Sequence, residues 1–138
     1  MANVIPFAFR GELFSGTHNF SSGGNAFKIA LYTSNPYTTS STAYDTTNEV
    51  SASGGSNYTA GGESLGSQAV ASSTAVASVD FADATWSSAT FTAAFAAIYN
   101  DTNSDKLCVV LDFGGNKTAT NGTFKLLSLI QQHQLMRL

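Results

Sequence analysis

Two carboxylates three positions apart, Asp80 and Asp83 in DFADATW, are spaced as an acid–base pair for glycoside hydrolysis, which needs two carboxyl groups flanking one bond. They fall at the end of an apolar run, where Asp more simply caps a turn. Nucleophilic catalysis needs a nucleophile, a base and an orienting group that converge. The histidines are His18, in SGTHNF, and His133, in QQHQ; His18 stands between two predicted elements, where an imidazole satisfies local backbone groups. Cys108 is the lone cysteine, so an internal disulfide is excluded and no metal-ligand spacing exists; within KLCVVLDF it reads as a small buried strand residue. The run from Asp101 to Asp105 imitates the opening of a calcium loop, with oxygen ligands at alternate positions. Lys106 stands where that loop needs Gly and Asp112 where it needs Glu, so a hairpin turn is the simpler reading. Paired glycines at 54–55 and 61–62 lack the Lys-Ser/Thr of a phosphate loop, and the Asn-x-Ser/Thr matches at Asn57 and Asn121 are expected by chance in so Thr-rich a chain. The inventory predicts no catalytic residue, no metal and no cofactor.

The elements that must position these residues belong to one small domain, since 138 residues can support a core of their own. Charged residues make up 11% of the chain against roughly 25% in an average soluble domain, so the surface is polar but weakly charged. Ten Phe and five Tyr supply anchors for packing, which separates the chain from disordered sequences. A formal charge of -3, with six scattered basic residues, argues against nucleic-acid binding, because phosphates require clustered Lys or Arg. No apolar stretch approaches the roughly 18 residues needed to cross a bilayer, and MANVIPFAFRGEL lacks the apolar region of a secretory signal. A soluble protein made in a cytoplasm, with no membrane partner, is the expectation.

The spacing of Phe9, Leu13 and Phe14 predicts one short helix over 7–14, stopped at Gly16. Ahead of it, Met1 to Pro6 are apolar and suit an arm that lies on a neighbour, whose removal together with the helix start (residues 1–10) would leave the domain folded. Residues 1–15 are thus read as arm and helix, and 16–138 as the main domain. FKIALYT alternates as a half-buried strand requires. The Ser/Thr/Gly-rich stretch over 34–65 is a long loop system. Tyr37, Tyr44 and Tyr58 punctuate it, either pinning the loop to the sheets or offering contact surface. Beyond it, GSQAVAS, AVASVDF, ATFTAAFAAIYN, KLCVVLDF and GTFKLLSL read as strands. One face is assigned to Phe91, Ala93, Phe95, Ala97 and Tyr99, and another to Leu107, Val109, Leu111 and Phe113. DATWSSA, NDTNSD and DFGGNKTATNG read as connectors. Connectors so short imply hairpins, hence an antiparallel, jelly-roll-like β-sandwich with one N-terminal helix. The C-terminal LLSLIQQHQLMRL fits strand or helix.

ELFSGTHNF, FKIALYTSN, TAYDTTNEVS, NYTAGGESL, VDFADATWSSATFTA, AAIYND and VLDFGGNKTATNGTF together resemble a family of small proteins encoded by tailed bacteriophages. The resemblance rests on Leu13, Gly16, Thr17 and His18; Ala30 to Thr33; Tyr58 to Gly62; Asp80, Phe81, Asp83 and Trp86; Ile98 to Asn100; and Leu111 to Gly114, and spans residues 12–124. The C-terminus departs from it by lacking a Phe-Pro strand. What the resemblance implies is a virion structural protein most like a capsid cement (decoration) protein, a homotrimer on the head lattice whose partner is the major capsid protein. A tail, neck or adsorption component, including a carbohydrate-binding one stacking sugars on Trp86 and the loop tyrosines, is the alternative. The candidate partner contacts are Val4, Ile5, Phe7 and Phe9 in the arm and helix, with Tyr37, Tyr44 and Tyr58 in the loops.

Overall fold

The computed structural model describes residues 3–72, 77–126 and 129–131. One helix, α1 (Phe7–Phe14), precedes seven strands: β1 (Phe27–Tyr32), β2 (Glu63–Leu65), β3 (Ala69–Ser72), β4 (Ala77–Asp80), β5 (Ala84–Asn100), β6 (Lys106–Leu126) and β7 (Leu129–Gln131). They form an antiparallel, sandwich-like pair of sheets, ordered β2-β1-β5-β6 and β3-β4-β7. A jelly-roll connectivity is compatible with this arrangement. β7 is strand, paired with β4; the segment after Gln131, including His133, lies outside the described residues.

Pro6, with extended backbone, starts α1 by fixing φ at the position where its missing N–H costs nothing. Gly16, at φ 74, ends it: the Gly16 and Thr17 amides turn back onto Leu13 and Glu12 carbonyls, a left-handed cap that favours glycine. Phe9 is fully buried, Leu13 packs against the core, and Phe14 is 81% exposed rather than a core residue.

The arm lies on its own domain. Val4 and Val110 exchange both backbone hydrogen bonds, at 2.9 and 2.8 Å, along the free edge of β6, and the Asn3 carboxamide oxygen accepts the Asp112 amide at 2.9 Å. Removing residues 1–10 would therefore strip Pro6 and Phe9 from the interior. Burial of one Phe contributes about 1.5–3 kcal/mol, so that deletion damages the domain instead of sparing it.

Two predicted connectors are strand. All of DATWSSA after Asp83 opens β5, and DFGGNKTATNG lies wholly inside β6. Turn-forming residues fit there because the β5–β6 ladder is bulged: Ser88, Gly114, Gly115 and Asn121 take positive φ where the register shifts. The same shifts break the predicted faces. In β5, Phe91 and Ala93 point into the main core with Ala96 and Ile98, whereas Phe95, Ala97 and Tyr99 face the second cluster with Tyr32 and Tyr37. Between Ile98 and Tyr99 the ladder gains an extra residue on β6, so Leu107 joins the second cluster while Cys108 and Val109 both enter the first.

The main core draws Phe27, Ile29 and Leu31 from β1, Val79 from β4 and Trp86 from β5 around a stacked Phe20–Phe27 pair, with ring centroids 4.3 Å apart. The loop system over 34–65 is irregular apart from isolated bridges and β2 at its end; Tyr37 and Tyr44 pack in the second cluster, while Val50, Tyr58 and Leu65 enter the main core.

Candidate functional site

Two buried polar centres hold most of the chemistry-bearing side chains. The first sits where the end of α1 meets the β5–β6 turn. His18, whose side chain is fully buried, contacts the Glu12 carboxylate through Nε2 at 2.9 Å, and Lys106 reaches the other Glu12 oxygen at 3.5 Å. On the opposite side Asn100 Nδ2 lies 2.9 Å from His18 Nδ1. The orientation of Asn100 is determined: its oxygen accepts the Thr102 and Asn103 amides at 3.1 and 3.2 Å, so its nitrogen must donate. His18 Nδ1 is then an acceptor and Nε2–H donates to Glu12, which selects one neutral tautomer. Asn103 Nδ2 donates to the Thr17 carbonyl at 2.5 Å, tying the turn back to the chain beside His18.

Cys108 Sγ lies 3.8 Å from the same His18 nitrogen. Cys108, His18 and Glu12 thus line up in the order nucleophile, base, orienting carboxylate. Their environment opposes that use: Cys108 is fully buried, and desolvation, reinforced by the Glu12 charge, pushes its thiol well above the ordinary range. The thiol stays protonated and packs as a small core residue, and Asn100 already occupies the imidazole lone pair. What the centre does is fasten residues 12–25 to the 100–103 turn.

The second centre is Glu49 with the tyrosines. Its carboxylate accepts the Tyr44 hydroxyl at 2.5 Å, the Tyr58 hydroxyl at 2.6 Å and the Gly61 amide at 2.8 Å. Tyr58 oxygen also accepts the Leu31 amide at 3.0 Å, and Tyr99 donates to the Gly61 carbonyl at 2.6 Å. Tyr32 and Tyr37 hydroxyls meet at 2.5 Å beside the Asp45 backbone. Burial, ahead of any neighbour, pushes all five phenols above the ordinary tyrosine value; for Tyr44 and Tyr58 the hydrogen bond to Glu49 adds to it. Gly62 completes the clip: at φ 84 it passes so close to β1 that an added Cβ would lie 1.9 Å from the Ile29 carbonyl oxygen.

Of the predicted contact residues, Phe9, Tyr37 and Tyr58 are buried within the chain and offer no surface. The tyrosines pin the loop instead, because an exposed ring would forgo both its apolar burial and its hydroxyl partner. Tyr44 is half-buried and stacked on Tyr99 at 4.6 Å; Val4 and Ile5 are half-buried, and Phe7 is 60% exposed. Trp86 is buried between Tyr58, Phe91 and Phe124, leaving no face for a sugar. Asp83 pairs with Lys125 at 3.2 Å and Asp80 ends β4, exposed. The Asp101 to Asp105 run is the β5–β6 turn, and among the described residues no three His, Cys, Asp or Glu side chains are placed to hold a metal ion.

Phe14, grouped with Phe9 and Leu13 by helical spacing, is exposed. Phe7, Gly11 and Phe14 follow one another on a single face of α1, with the open Cβ position of Gly11 between the two rings. The rings are separated by about 10 Å along the helix axis. Comparison of the chain with protein-family models, curated proteins and solved structures finds no match.

Proposed function

We propose that this chain is a structural protein of a tailed-phage virion: a cement or decoration protein that binds the outer surface of the head lattice as a homotrimer, contacts the major capsid protein and stabilises the shell. The setting comes from the sequence motifs. The observation that carries the binding role is the aromatic pair on α1, where Phe7 and Phe14 are 60% and 81% exposed on one face. Two large rings two turns apart on one face of a helix form a patch, unlike apolar residues scattered singly. The helix is held from behind by Phe9, the arm and His18, so the patch is presented on a rigid base. A lattice multiplies each such contact, and modest affinity per copy suffices.

Cryo-electron microscopy of intact virions tests the setting: the expected density lies on the outer head surface, and density at the tail or neck transfers the chain to the adsorption apparatus. Phe7→Ser with Phe14→Ser tests the contact, using heads assembled without the protein. Burying two Phe side chains contributes about 3–6 kcal/mol, so occupancy at equal concentration should fall by more than tenfold while the domain stays folded. Unchanged occupancy would remove α1 from the interface.

A further inference from the structure

The sheet edges are treated unequally. The outer edge of β6 is covered by the arm at Val110 and Asp112, through the paired Val4–Val110 hydrogen bonds and the Asn3 side chain, and carries Lys117 and Lys125 further along. β2, at the other edge of that sheet, is three residues long and begins with a charge, Glu63. Both are ordinary ways of blunting an edge. β3, the edge strand of the second sheet, has neither device among the described residues. All four of its residues are exposed, Val70 to 54%, and from Ser64 to Val79 the chain contains no Asp, Glu, Lys, Arg or Pro.

β3 is nevertheless held firmly. It is paired over its whole length with β4, from Ala69–Asp80 to Ser72–Ala77, and Gln68 just before it donates to the Asn25 and Ser21 carbonyls at 2.8 and 3.2 Å. An ordered strand with a free row of backbone donors and acceptors is a template for another strand. Its side chains are small apart from Val70, so a second backbone can approach to the usual spacing of about 4.8 Å.

We infer that β3 pairs antiparallel with β3 of a second copy of this chain, across a two-fold axis through Val70 that sets Val70 opposite Val70 and Ala69 opposite Ala71, to join the two three-stranded sheets into one. The second copy is favoured over a foreign strand by charge. Self-pairing sets the residues of one short segment against one another, and an uncharged edge accepts that without repulsion. The contact is independent of the helix patch and of the phage reading, and a two-fold union is distinct from a three-fold one. Four residues a side make a weak contact, below the area of a stable free-standing interface.

Sedimentation of the full chain across a concentration series tests this. Whatever its base particle, the mass should double as concentration approaches about 1 mM. Val70→Lys with Ala71→Lys places like charges on both faces of the joint. It should weaken the doubling at least tenfold and leave the base particle and near-ultraviolet circular dichroism unchanged. Hydrogen exchange on the unaltered protein gives a second readout: residues 69–72 should exchange more slowly in the concentrated sample than in the dilute one. Absence of doubling, doubling that persists in the double variant, or equal exchange in both samples would each overturn the proposal.

Discussion

Raising the pH should unfold this protein in one step, with its tyrosines ionising together. All five tyrosines of the sequence have phenols shifted up by burial, and four of them, Tyr32, Tyr37, Tyr58 and Tyr99, are at most 5% exposed. A phenol is neutral when protonated, so a raised folded value means the native state holds a proton that the unfolded chain releases from about pH 10. Below that pH the contribution to stability is fully present; above it, stability falls as the pH climbs toward the folded value. Each buried phenol costs about 1.4 kcal/mol per pH unit over that window, or roughly 5 kcal/mol per unit for the four together. Half-buried Tyr44, more open to water, adds less. Against a typical domain stability of about 5–15 kcal/mol, unfolding falls between about pH 11 and 13. Phenolate absorbance and far-ultraviolet circular dichroism, recorded on one titration, should change at the same pH. Two or more phenolates appearing near pH 10 in a chain that retains its native dichroism would refute the reasoning, since buried hydroxyls bonded to each other and to Glu49 could not ionise without the fold opening.

Two further perturbations probe the polar centres. Glu49→Ala removes one acceptor from the Tyr44 and Tyr58 hydroxyls and the Gly61 amide, and should destabilise by about 2–4 kcal/mol in urea titration. Glu49→Gln should cost less than half as much, because the amide oxygen can still take Tyr58 and Gly61 while its nitrogen donates to Tyr44. Equal losses would show that charge, not acceptor geometry, holds the clip. Cys108 should resist a thiol reagent in the native protein and react at the global unfolding rate. Fast labelling at neutral pH in the folded state would mean that the Cys108–His18 contact is open to solvent.

The parts of the fold legible in the sequence are those where periodicity runs unbroken. FKIALYT alternates cleanly and is β1; Phe9 and Gly16 mark the helix and its end. β5 and β6 were harder because their phase changes within the strand. Ser88, Gly114, Gly115 and Asn121 look like turn residues, and by conformation they are, yet each sits in a bulge that continues the ladder. No local pattern distinguishes a turn that reverses the chain from one that only re-aims it. The polar centres were hidden for a different reason. His18 and Asn100 are 82 positions apart, and Glu49 sits in a Ser/Thr/Gly-rich loop beside tyrosines whose ring burial is decided by the sheet beneath. Spacing along the chain carries no record of such pairings. Phe14 lies one position past the buried face marked by Phe9 and Leu13, and its exposure follows from helix geometry.

The seating of the N-terminal segment sets an order of events during synthesis. Asn3, Val4 and His18 find their partners at Asp112, Val110 and Asn100, so residues early in the sequence are completed by others made much later. While the chain emerges, α1 has no sheet to cover Phe9, and eight residues are too few to hold a helix unaided. The arm therefore closes late, once the β5–β6 hairpin exists. Contacts of such long sequence separation make folding slow for the chain's size, and they leave the N-terminal aromatics open to other chains in the interval.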